Sequence, residues 1–378
     1  MTTAPQVIQE RLAPVLEAAA DHAADVDRAG RFPREAVDAL RDSGLCGLTV
    51  PEADGGLGGG PHDLVEVMSS VAAACGSTAM VYLMHLAATM PIAAAPPVGH
   101  PGLLREMASG AKLGTLAFSE RGSRSHFWAP VSRQAHNNGS VAFSATKSWV
   151  TSAGEADIIL SSALVPKGGP IDSDLFAIPR ATPGMESGGP WTGMGLRGND
   201  SRPMSLEVAI PADWRLGSPG EGFRLMMEAV LPWFNLGNAS VSLGLATAAV
   251  DGAVKHATGS SFQHLGESLA DLPTIRAQLA RMHIRTDALR SYLHEVAGSL
   301  MQPDDRTQLR VLASKAYAND TVLEVTDMAM RVCGGAAFSQ HLAIDRFFRD
   351  ARAGHVMAPT ADVLYDFYGK AITGRPLF

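Results

Sequence analysis

Proton transfer needs titratable side chains at short range, and near its C-terminus this chain offers three. His355 lies inside the run Ile344–Thr360, IDRFFRDARAGHVMAPT, and Asp362 and Tyr365 follow it. Each has a plainer use. A lone histidine is more often structural than catalytic, and Asp362 suits a cap on a final helix near Thr360. A second cluster is the loop Glu120-Arg121-Gly122-Ser123-Arg124-Ser125-His126-Phe127-Trp128, whose cations either meet an anionic substrate or face solvent. The aromatic pair Trp233-Phe234 either packs a core or narrows a pocket. The twelve histidines are scattered without metal-ligand spacing, so no metal site is expected.

At 378 residues the chain exceeds one ordinary core, and two or three packed units are expected. Hydrophobic residues at 46% are ample for their interiors. A charge of −7 and a pI near 5.9 come with no basic patch to neutralise phosphates, which argues against a nucleic-acid partner. Cys46, Cys75 and Cys333 are odd in number and far apart, which suits a reducing compartment. The N-terminal run carries Glu and Asp throughout and does not read as a signal peptide. The apolar stretch Ala79–Val98 contains His85, Pro91, Pro96 and Pro97, so it reads as a buried helix ending near Pro91 and not as a membrane span. A soluble, cytoplasmic protein is expected.

The elements that position these groups fall into three blocks. Residues 1–112 read as helices, with apolar residues at three- and four-residue intervals over Pro5–Ala24, Pro33–Ser43, His62–Ala74 and Ala79–Ala88. Residues 113–217 alternate, and strands are expected at Leu113–Phe118, Ser140–Trp149, Asp157–Leu164, Asp174–Ile178 and Met204–Ile210. From 218 to 378 helical period returns in three long runs, Phe223–Ala257, Leu272–Met301 and Arg306–Val332, which must bury their stripes on one another as a bundle. The fold class is α+β and mostly helical: N-terminal helices, a small barrel-like β domain, then a four-helix-type bundle.

Six short motifs occur in that order. Arg346-Phe347-Phe348-Arg349-Asp350-Ala351-Arg352 resembles the "ERFYRDAR" signature of acyl-CoA dehydrogenases. Phe32-Pro33-Arg34-Glu35 with Gly44-Leu45, Val50-Pro51-Glu52 and Gly55-Gly56 is similar to the family's N-terminal pattern. Leu116-Ala117-Phe118-Ser119-Glu120 resembles "A.TEP", Lys147-Ser148-Trp149-Val150-Thr151 resembles "K.WIT", and Leu196-Arg197-Gly198 resembles "G.RG". Ile210-Pro211 with Leu216-Gly217, Gly220 and Gly222-Phe223 is similar to "VP....LG..G.GF".

The resemblance implies a flavin site. Phe118 and Ser119 would lie against the ring, Trp149 would pack on it, and Thr151 would offer its hydroxyl near N5, with Ser125 and Thr360 close by. At the phosphate end the family's arginine aligns with Phe262 in Phe262-Gln263-His264-Leu265-Gly266. Arg331, before Gly334-Gly335, is the candidate replacement, so FAD is expected, with FMN as the fallback that needs no diphosphate contact. Arg124 and His126 stand where the family has small or acidic residues, and Trp233 and Phe234 would face the acyl pocket.

The same resemblance exposes a missing part. The family's α-proton base aligns with Ala358, and the other position known for that base aligns with the Trp233-Phe234 pair. A methyl group cannot take a proton, although the backbone N–H of residue 358 can still polarise a thioester carbonyl. Three readings stay open. One is a flavin oxidoreductase of an acyl thioester, CoA- or carrier-bound, with His355 or Asp362 as an atypical base or with an unusually acidic substrate. The second is a monooxygenase on the same fold, fed reduced flavin by a partner reductase. The third is a non-catalytic member. A homotetramer or dimer is expected from the resemblance, as is an electron-transfer or reductase partner.

Overall fold

The computed structural model describes residues 4–124, 126–262 and 266–376. Five helices open the chain: α1 Ala4–Ala29, α2 Arg34–Asp42, α3 Pro61–Ala74, α4 Gly76–Ala94 and α5 Leu103–Ala108. Helix α4 is apolar all round and is buried from Gly76 to Thr89, as such a helix must be. It is long and apolar enough to cross a membrane, yet 78% of that span is buried inside the protein, so it is a core helix. It also runs through Pro91 to Ala94, past the expected stop. A proline so near a helix end forfeits only one ladder bond.

Seven strands form the middle block: β1 Gly114–Ala117, β2 Ala135–Asn137, β3 Ser140–Val150, β4 Ile158–Leu164, β5 Ser173–Pro179, β6 Met185–Ser187 and β7 Arg202–Pro211. They make a three-stranded sheet, β1-β4-β5, and a four-stranded one, β2-β3-β7-β6. Val141, Phe143, Phe176, Ile178, Leu206 and Ile210 share one core between them. Strand β3 alternates buried and open positions, whereas every residue of β4 is buried. Strands β2 and β6, three residues each, escaped the pattern because so short a run carries no period.

The last block begins with α6 Gly222–Arg224, a π-helical segment Leu225–Val230, and α7 Leu231–Gly259. The single helix expected over Phe223–Ala257 is interrupted here. Pro232 cannot donate to the preceding turn and its ring crowds it, and a π turn absorbs the misfit. A two-stranded turn, β8 Ser261–Phe262 with β9 Glu267–Ser268, leads to α8 Pro273–Met301 and α9 Thr307–Cys333. Short α10 Gly335–Phe338, then α11 Ile344–Val356 and α12 Ala361–Ile372, complete the chain. Helix α9 packs against α7, α8, α11 and α12, and α7 also lies on α3, which ties the bundle to the first block.

Candidate active site

All three blocks meet at one cavity of about 710 Å³. Helix α4 gives Met84, the end of β1 gives Leu116, Phe118, Ser119 and Glu120, and the end of β3 gives Ser148 and Trp149. The π turn and α7 add Val230 and Phe234, while α11 and the turn after it add Arg349, Arg352, Val356, Met357, Ala358 and Thr360. The volume and the mostly apolar wall suit a ligand larger than a simple acyl chain.

Backbone strain marks the same place independently of any motif. Arg124, Trp149 and Leu196 line the cavity with φ of +37°, +56° and +47°, although none is glycine. Ser152 and Asp200, close beside the wall, share the left-handed region. Such residues persist where surrounding structure holds them, and they gather at ligand sites. The turn at Trp149 falls where β3 slips its register against β7, between Lys147 and Val150. That bulge leaves the indole 66% exposed.

The chemistry of the wall turns on its carboxylate. Among the described lining residues only Glu120 has one, and it is fully engaged. Lys147 Nζ donates to Glu120 Oε1 at 2.5 Å and Ser132 Oγ at 2.7 Å, while the Val131 and Ser132 amides donate to Oε2 at 2.9 and 2.8 Å. Burial alone would raise this carboxyl's pKa, but the Lys147 charge and the hydrogen bonds hold it below the usual range. Glu120 is therefore ionised, locked and unsuited to accept a proton from substrate.

The loop Trp191–Ser201 and the Ala358 turn are held on α11. Arg349 pairs with Asp27 at 2.5 Å and Asp345 at 2.9 Å, and also donates to Met194 O. Asp350 Oδ1 accepts the Leu196 amide at 2.6 Å; burial raises this carboxyl to about 6. Gly195 is needed because a Cβ there would lie 2.4 Å from Arg349 O. Below the turn, fully buried Lys315 donates to Gly354 O, Met357 O and Pro359 O at 2.9, 3.1 and 2.9 Å. Burial lowers its pKa to about 7. These bonds fix the main chain on either side of Ala358, whose own N–H donates to no described residue.

Phe118, Ser119, Arg124, Trp149, Phe234, Ala358 and Thr360 stand together in this wall. Other expected residues stand elsewhere. His355 is off the wall: Arg349, Arg352, Ala353 and Val356 form the cavity face of α11, and position 355 lies roughly 110° around the helix. Asp362 is exposed in the first turn of α12, and Tyr365 donates to Asp320 at 2.6 Å. Trp233 packs against the core beside Phe234, because consecutive helical residues cannot share one face. Thr151 lies behind the wall, fully buried, its hydroxyl without a partner. His126 is exposed and edge-on to Trp128. Arg331, Gly334 and Gly335 are exposed at the end of α9, outside the cavity, where an arginine also suits the helix dipole. Ser125, Gln263, His264, Leu265 and the Phe262 side chain lie outside the described residues. Sequence reasoning overlooked Trp191, Met194 and Lys315; only the glycines at 193 and 195 hinted that this loop lies close to its neighbours.

The comparisons agree with this geometry. Family models for the N-terminal, middle and C-terminal domains of acyl-CoA dehydrogenase match residues 3–96, 115–209 and 220–373. The chain belongs to the acyl-CoA dehydrogenase superfamily. It is 29% identical over 356 residues to the mitochondrial short-chain specific acyl-CoA dehydrogenase of Bos taurus, covering 90% of this chain and 83% of that one. It is 27% identical over 362 residues to cyclohex-1-ene-1-carbonyl-CoA dehydrogenase of Geobacter metallireducens, covering 95% and 93%. Butyryl-CoA dehydrogenase from Megasphaera elsdenii superposes with a TM-score of 0.91 at 23% identity, over 97% and 98% of the chains. Members of the family are FAD-binding flavoproteins, and this chain is an oxidoreductase of that class. Its wall fits the ring of such a cofactor: Trp149 presents an open indole, and Asn199, also on the wall, has an Oδ1 without a partner among the described residues.

Proposed function

We propose that the chain is a flavin-dependent oxidoreductase of an acyl thioester, CoA- or carrier-bound, that does not draw its α-proton to a wall carboxylate. The carrying observation is the state of that wall. By the resemblance Ala358 stands at the family's base position, and the one carboxylate among the described lining residues, Glu120, is paired with Lys147. Phe118, Trp149, Ser119 and Thr360 would hold the isoalloxazine, and bound flavin would supply the electron acceptor. Phe127, Phe234, Val230 and Met84 would enclose the acyl group and exclude water. The unpartnered Ala358 N–H would donate to the thioester carbonyl, which raises the acidity of the α-carbon without a side chain. A substrate already acidic there needs no more help than this.

A second reading, oxygenation by flavin reduced by a partner reductase, is favoured by the same empty base position, because it requires no α-proton abstraction. FAD is the proposed cofactor, with Arg331, which lies outside this chain's own cavity, meeting the diphosphate of a flavin held by a second copy, and FMN the alternative. The exposed apolar residues Phe338 and Ile372 support assembly into a dimer or tetramer. The three buried free thiols suit a cytoplasmic location.

The test is a visible-absorbance titration of flavin-loaded protein with a panel of acyl-CoAs and acyl-carrier thioesters under anaerobic conditions. Bleaching by any thioester establishes the reductive half-reaction. A visibly bound flavin that no thioester bleaches overturns the first reading and moves the function to reductase-fed oxygenation.

A further inference from the structure

The cavity wall contains a second indole that no motif of the chain predicts. Trp191 comes from the irregular loop before β7 and is half-buried. Its Nε1–H donates to Leu196 O at 3.0 Å, which anchors the ring to the segment that Asp350 and Arg349 bind to α11. The ring lies directly over Gly193, where a Cβ would come within 2.0 Å of it, so the loop is built around this indole. From that seat Trp191 meets Trp149 edge-to-face, with ring centroids 5.7 Å apart at 78°.

Trp149 needs such a neighbour. It sits in the left-handed region at φ +56°, in the register slip of β3, with most of its surface open to the cavity. A β-propensity residue held there has little else to fix its χ angles, and an exposed indole free to rotate presents no defined face to a ligand. Edge-to-face contact with an anchored partner removes that freedom.

On the reading that this cavity takes a flavin, we infer that Trp191 is a positioning residue that sets the Trp149 indole as a fixed platform for the isoalloxazine. It acts through Trp149 and takes no part in the chemistry. An aromatic pair of this geometry contributes about a twofold to tenfold change in the equilibrium it supports.

The probe is FAD added to the full-length apoprotein, followed by flavin-fluorescence titration and by visible circular dichroism of the bound flavin. Trp191→Ala should weaken FAD binding about twofold to tenfold and alter the visible dichroism, and Trp191→Phe, which keeps an aromatic edge but loses the Nε1–H anchor, should restore part of both. Gly193→Ala provides a second route: its methyl displaces the ring without deleting it and should reproduce the alanine phenotype. A merely structural role would lower the unfolding midpoint yet leave the dichroism of bound flavin unchanged, and that result overturns the inference. So does wild-type FAD affinity in Trp191→Ala and Gly193→Ala. If the wild-type protein binds no flavin, the cavity reading itself fails, and this inference with it, before any variant is compared.

Discussion

Two buried titratable groups should oppose one another in acid, and separating them is a direct test of the packing described above. His85 is fully buried in α4; its Nε2 bonds Cys46 O at 3.1 Å and its Nδ1 accepts the Gly114 amide at 3.0 Å. That arrangement assigns the proton to Nε2 and leaves the ring neutral. Burial lowers its pKa from 6.5 to about 4. Between those values the unfolded chain binds more protons, so His85 makes stability fall as pH drops from 6.5 to 4. Asp350 does the reverse. Burial raises it from 3.8 to about 6, the folded chain holds the extra proton, and its stabilisation is lost as pH rises through that window. At about 1.4 kcal/mol per pH unit each effect amounts to roughly 3 kcal/mol, and over pH 4–6 they nearly cancel. Asp350→Asn keeps an acceptor for the Leu196 amide but removes the titration. Its denaturant-unfolding free energy, measured at each pH and subtracted from that of the wild type, should change by about 2 kcal/mol from pH 4 to 6. The variant gains relative stability as pH rises. His85→Gln should give the opposite slope. Taking differences removes every other titrating group, so a flat difference curve for Asp350→Asn would refute the assignment of a raised, buried carboxyl.

Three further outcomes are expected. Ala358→Glu restores a carboxylate to the wall and should speed anaerobic flavin reduction by acyl-CoA by about 10²–10⁴-fold, read by stopped-flow absorbance; no gain with any chain length would show that the thioester does not approach residue 358. Lys147→Met strands the Glu120 carboxylate and should destabilise the fold by about 3–5 kcal/mol in denaturant unfolding, most of it recovered when Glu120→Gln is added. A double variant no better than the single one would contradict the charge pairing. Arg331→Ala should weaken FAD about tenfold and leave FMN affinity unchanged by fluorescence titration; equal loss of both would place Arg331 outside diphosphate binding.

The order of the three blocks was legible because long helices and alternating strands repeat their period many times. Residues on strand ends and in the turn after α11 could also be brought together from motif spacing, as Phe118, Trp149 and Ala358 show. What spacing does not carry is rotation about a helix. His355 sits three residues from Ala358 in sequence yet turns off the cavity face, and Trp233 and Phe234 part company for the same reason. The loop holding Trp191 has no period at all, and its course depends on partners far away in sequence, Arg349 and Asp350. Lys315 was invisible for a different reason. A lysine in a long helix reads as a solvated charge, and only the packed bundle reveals it buried beneath the Ala358 turn.

Lys315 grips carbonyl oxygens and no side chain, so it holds the chain at 357–359 without using the side chain of residue 358. Shape and reactivity are thereby inherited separately. A lineage can exchange the side chain here in one or two nucleotide changes and still keep the pocket and the main-chain amide at position 358. New reactions can then be tried at that position on a scaffold that never has to fold anew.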